Sequence, residues 1–107
     1  MSDQSKSRTA IGFAWYRLDE WQELKAFCDD GNELEKSFNE WKSHAEEALR
    51  DLKNDGFHVE TIDFDLNEFK TWCQVNRKPP IAASRSEFAV LKLRHRHDST
   101  GKTDNKN

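Results

Sequence analysis

The sequence predicts an α+β fold: a helix-dominated single domain in the order β-α-α-β-α-α, with a two-stranded sheet covered by helices and one long central amphipathic helix. Three observations predict it. The chain has 107 residues, which is enough for one core and too few for two. Its four Trp and seven Phe supply the bulk that disordered chains lack, although 35% of the residues are charged. Apolar residues recur with period two in two short segments and with helical period elsewhere.

The first segment is 10–16, where Ile11, Phe13 and Trp15 alternate with Gly12 and Ala14. That is the pattern of a strand with one bulky face and one bare face, and a bare face lets a helix backbone come close. Asp19 followed by Gln22 reads as a capping box, and Trp21, Leu24, Phe27 and Cys28 then follow helical spacing. Asp29, Asp30 and Gly31 end this short helix, with the glycine suited to a left-handed exit. Asn32 with Glu35 forms a second box. The long helix after it places Leu34, Phe38, Trp41, Ala45, Ala48 and Leu52 in one stripe about 100° wide. With only some two and a half heptads, the stripe is read as facing this chain's own core and not a coiled coil.

Asn54, Asp55 and Gly56 stop the long helix. In 57–65, Phe57 and Val59 share one face while Ile62 and Phe64 share the other. The alternation slips near Thr61, which implies either a bulge or a strand covered on both sides. A third box, Asp65 with Glu68, opens a short helix carrying Leu66, Phe69, Trp72 and Cys73. Pro79 and Pro80 interrupt the chain. A fourth box, Ser84 with Glu87, leads into 88–93, read as a helix in preference to a third strand even though Phe88 and Leu91 point one way and Val90 and Leu93 another. Residues 1–9 and 98–107 offer nothing to bury and are expected to be tails around a domain at 10–97.

Charge is unevenly spread. From Arg17 to Glu68 there are sixteen acids against six bases; from Arg77 to His97 there are six bases against one acid. The basic residues Arg77, Lys78, Arg85, Lys92, Arg94 and Arg96 are candidates for contact with a partner or with nucleic-acid phosphates, although the pI near 5.8 is far from that of a dedicated nucleic-acid domain. The preferred reading is that these cations complement a helix C-terminus and that the segment docks on the acidic remainder of the fold.

A second candidate site depends on how the strands pair. Parallel pairing would bring Trp15, Tyr16 and Arg17 beside Asp63 and Asp65 at the carboxyl ends of the strands, where ligands of open sheets tend to bind. Antiparallel pairing would separate them, and the preferred reading even of the parallel arrangement is structural: an Arg17–Asp63 salt bridge beside Asp65 serving as a helix cap. Glu40, His44 and Glu47 share a helix flank but lack matching ligands elsewhere, so they read as a solvated face, and His58 with Glu60 likewise. Cys28 and Cys73 fall in the last turns of helices, beside apolar residues, and read as packing residues.

These patterns exclude a disulfide framework, a zinc knuckle and a phosphate loop, and no metal or cofactor is expected. No apolar run approaches membrane length, so the chain is expected to be cytoplasmic. With no coherent catalytic set, the expected function is a non-enzymatic protein-interaction or regulatory module. Its partner would be another protein, or itself as a homodimer through 88–93. An RNA- or DNA-associated factor and a small ligand-binding or enzymatic site at the strand ends are the alternatives.

Overall fold

A computed structural model of the chain describes the backbone of residues 10–106 and the side chains of 10–97. The expected tail at 1–9 lies outside the described residues, as do the side chains of 98–107. Strand β1 (Ala10–Trp15) is followed by a 3-10 turn at Leu18–Glu20 and helix α1 (Trp21–Phe27). A second 3-10 turn (Gly31–Glu33) precedes the long helix α2 (Phe38–Asn54). Strand β2 (His58–Asp63), helix α3 (Leu66–Asn76) and helix α4 (Ala82–Lys106) complete the order, which is the β-α-α-β-α-α succession read from the sequence.

The strands pair in parallel, in unbroken register from Ala10 opposite His58 to Trp15 opposite Asp63. The slip near Thr61 is therefore no bulge. Side chains alternate across a strand, so Gly12, Ala14, Glu60 and Ile62 share one face, and Ile11, Phe13 and Trp15 the other. Helix α4 crosses the first face so closely that a Cβ on Gly12 would stand 3.1 Å from the Ala89 carbonyl oxygen. This is the use the bare face predicts. Helix α2 covers the second face, with the rings of Trp15 and Trp41 4.9 Å apart.

The core is aromatic. Tyr16 packs on Trp41 and Phe64 at 4.9 Å each, and Phe64 continues to Phe69 at 5.0 Å and Phe88 at 5.6 Å. Such pairs contribute about 0.5–1.5 kcal/mol each beyond the burial of their area. They join the side of the sheet under α2 to the side under α3 and α4. Cys28 and Cys73 are both buried within this core and unpaired.

Several boundaries differ from the sequence expectation, each for a local reason. Asp19 does not cap α1; a 3-10 turn intervenes, and Glu20 spends its side chain on Leu66 N (3.1 Å) and Arg17. Gly31 is not left-handed, since among the described residues Gly56 (φ 94) and Arg77 (φ 55) are the positive-φ residues; it is glycine because a Cβ would collide with the Lys25 backbone. Helix α2 starts at Ser37, whose hydroxyl accepts from Glu40 N, and not at Asn32. Asp65 does cap α3, accepting from Glu68 N. Residues 88–93 are helical, but Ser84 lies buried inside the first turn of α4. The cap there is Asp30, 52 residues upstream, whose carboxylate accepts from Ala82 N at 3.1 Å.

Candidate interaction groove

Parallel pairing brings the strand-end residues together. Arg17 donates through Nε and Nη2 to the two oxygens of Asp63, at 3.0 and 2.5 Å, and also lies within 3.4 Å of Glu20 and 3.6 Å of Asp65. Hydrogen bonding to Asp63 strengthens the hold of the guanidinium on its proton and keeps the Asp63 carboxyl below the usual range. Because Asp65 and Glu20 also take backbone N–H groups at the start of α3, the cluster fastens β1, β2 and α3 at one point. Trp15 and Tyr16 turn inward to the aromatic core, and the Tyr16 hydroxyl accepts from Arg85 Nε at 2.9 Å. Burial raises the Tyr16 pKa, so its phenol stays protonated.

The six basic candidates separate into different environments. Arg85 is buried, with 6% of its side chain exposed, and makes a two-pronged pair with Asp30 at 2.9 and 3.2 Å. Burial is the largest single influence and opposes its charge, but the bonds to Asp30 together with the fields of Tyr16, Cys28 and Asp30 outweigh it. It is thus an internal strut and not a surface contact. Lys78 pairs with Glu87, Lys92 with Glu68, and Arg96 with Glu60. Arg77 forms the left-handed C-terminal residue of α3. Arg94 is exposed, and no ion pair of it is found among the described residues.

Between β2, α3 and α4 these placements frame a groove of about 570 Å³. Its apolar lining is Ile62, Trp72, Phe88 and Leu91, with Asp63, Glu68, Lys92, His95 and Arg96 around it. Trp72 stacks on Phe69 (20° between planes) and meets Phe88 at 5.6 Å, so its ring is held in place while remaining partly open to solvent. Trp72 and Glu68 also line the adjoining surface of α3, where Val75 is 72% exposed. The Lys92 ammonium reaches from α4 to Glu68 on α3 at 2.5 Å and lies 5.9 Å above the Phe88 ring.

Sequence reasoning named Asp63, Lys92 and Arg96 of this groove. It assigned Trp72 wholly to the core and passed over Val75. The available signal was position: Val75 lies three residues after Trp72 on α3, outside the buried stripe of Leu66, Phe69 and Cys73. Among the described residues no group of three His, Cys, Asp or Glu side chains could hold a metal ion, and no helix is long and apolar enough to cross a membrane. Comparison of the chain with protein families, with curated proteins and with solved structures finds no match.

Proposed function

We propose that this protein is a non-enzymatic interaction module that takes an amphipathic segment of a partner protein into the groove between β2, α3 and α4. The observation that carries this reading is the continuity of apolar surface from Leu91 and Trp72 out to Val75, the most exposed large apolar side chain among the described residues. Contiguous apolar surface rimmed by polar groups is the usual mark of an interaction site. The rim supports exchange: exposed ion pairs such as Lys92–Glu68 contribute about 0–1 kcal/mol, so an incoming acidic residue can replace Glu68 at little cost.

The chemistry of the partner follows from the charge at the C-terminal side of the groove. His95 and Arg96 line it there and Arg94 is exposed beside them on α4, so the segment carries apolar anchors at helical spacing flanked by Asp or Glu. Lys78, Arg85, Lys92 and Arg96 pair with acids of the same chain, which supports docking of the basic segment on the fold over phosphate binding by it. Two unpaired cysteines support placement in a reducing cytoplasm.

Selection from a displayed peptide library tests the reading. It should enrich apolar peptides with acidic flanks, and Val75→Asp and Arg94→Glu should each weaken their binding about tenfold or more, equivalent to ~1.4 kcal/mol. Enriched peptides that bind both variants as well as wild type would refute the site. Salt-dependent binding of an oligonucleotide, lost on replacing Arg94 and Arg96 by Ala, would instead favour the nucleic-acid reading.

A further inference from the structure

The two edges of the sheet differ. On β2, the strand carries His58, Glu60 and Asp63, and Arg96 of α4 donates to the outward carbonyl of Thr61 at 3.4 Å. Charges along a strand and a side chain laid over its edge are the usual guards against pairing with another chain. β1 has neither guard. Its sequence from Ala10 to Trp15 contains no charged, polar or proline residue, and all six of its residues are only half-buried. Among the described residues, β2 is the one strand paired with it.

The ladder fixes which backbone groups face out. Phe64 N donates to the Trp15 carbonyl at 3.0 Å. In a parallel pair, alternate residues direct both backbone groups to the neighbour, so Ile11, Phe13 and Trp15 face β2 while Ala10, Gly12 and Ala14 face outward. Along that outward edge a cavity of about 230 Å³ lies open between α2 and α4. Trp41 borders it on one side and Ala82, Ser86 and Ala89 on the other. The one charged residue lining it is Arg85, already neutralised by Asp30. In a chain with 35% charged residues this is a neutral surface, which two copies can share without repulsion.

We propose that the outer edge of β1 is a homodimer interface, in which the β1 strands of two copies pair antiparallel about a two-fold axis at Gly12 to give a four-stranded sheet. The sequence is self-complementary in that register. Gly12 meets its counterpart and Ala10 meets the partner's Ala14, each as a hydrogen-bonded pair. On the two central β1 strands the face under α4 then holds glycine and alanine alone, leaving room for both copies of α4 with their small residues Ala82, Ser86 and Ala89. On the other face Ile11 stands opposite the partner's Phe13, an aromatic and β-branched pair of the kind that stabilises sheets. A two-stranded sheet is marginal by itself, and the isologous contact extends it with one patch used twice.

Sedimentation velocity of the full chain over a wide concentration range, with amide hydrogen exchange at each concentration, tests the proposal. The expected result is a dimer whose Gly12 and Ala14 amides become protected as concentration rises. Ala14→Pro deletes an outward donor without touching the β1–β2 ladder, and Ser86→Glu sets like charges against each other across the axis. Each should weaken dimerisation about tenfold or more. Ser86 is exposed on α4, so its variant carries the test where Ala14→Pro fails to fold. Val75→Asp, on the other surface, should leave the dimer intact. A strict monomer, a dimer with unprotected Gly12 and Ala14 amides, or a dimer indifferent to Ser86→Glu would overturn the proposal. So would a monomer that captures an extended foreign peptide on β1.

Discussion

Asp30 accepts from three donors: both terminal nitrogens of Arg85 and the backbone N–H of Ala82. Its hydrogen bonding to Arg85 holds its carboxyl below the usual range. Removing one member of a buried pair leaves the other charge without compensation, at a cost of about 3–5 kcal/mol. Asp30→Asn is therefore expected to lower the urea midpoint by a large share of a total stability of roughly 5–15 kcal/mol. An unchanged midpoint would show that Arg85 finds water or another acid. Gly31, beside it, tolerates no side chain, because a Cβ would lie 1.8 Å from the Lys25 carbonyl oxygen. Neither role is legible in the sequence. Arg85 sits in a basic stretch and its acid lies 55 residues away, while Gly31 follows two aspartates, as a helix-ending glycine does. Close approach between segments distant along the chain leaves no local pattern.

At the scale of elements the sequence says more, because periodicity and caps are local. The stripe that names α2 does supply Trp41 and Ala45 to the core, and Asp65 caps α3 as its spacing with Glu68 implies. The start of α2 was ambiguous for a physical reason: Asn32 with Glu35 and Ser37 with Glu40 are both capping boxes, five residues apart. The second one operates, and Glu35 accepts instead from His44 at 2.7 Å. Ser37→Ala is expected to cost about 1 kcal/mol in thermal unfolding, and Asn32→Ala much less. Equal losses would place the cap elsewhere. At the end of α3, Arg77 adopts φ 55, a conformation that suits glycine. Arg77→Gly should relieve that strain and raise stability by up to about 1 kcal/mol, and a loss of stability would mean that the Arg77 side chain is itself engaged.

Across the whole molecule the uneven charge of the sequence resolves into contact between its two parts. Glu60 accepts from Arg96 and His97 of α4, and Glu68 from Lys92, so the basic helix lies on acids from earlier in the chain. The sequence favours this docking over phosphate contact, but which face α4 turns to the sheet is not legible in composition. The contacts give stability a definite pH profile. Asp30 and Asp63 are held below their ordinary 3.8 by hydrogen bonds from Arg85 and Arg17, and Glu60 below 4.5 chiefly by His97. The unfolded chain therefore binds more protons in acid, and this stabilisation, present above pH ~4, is lost as pH falls through the folded values. His44 has the opposite sign: hydrogen bonding to Glu35 raises it above 6.5, so its contribution is complete below that value and fades as pH rises through the folded one. Urea midpoints should thus be highest between about pH 5 and 6.5, with a steep acid limb and a shallow alkaline one, since His44 is exposed and its pair screened. Asp30→Asn should flatten the acid limb most, as the most buried of these pairs. His44→Gln should remove the decline just above pH ~6.5, while leaving the one at higher pH set by Cys28, Cys73 and Tyr16, whose protons the fold holds more tightly through burial. An acid limb that Asp30→Asn leaves as steep as in wild type would mean that the pairs under α4 and at the strand ends, not the buried Arg85, set the acid stability of the fold.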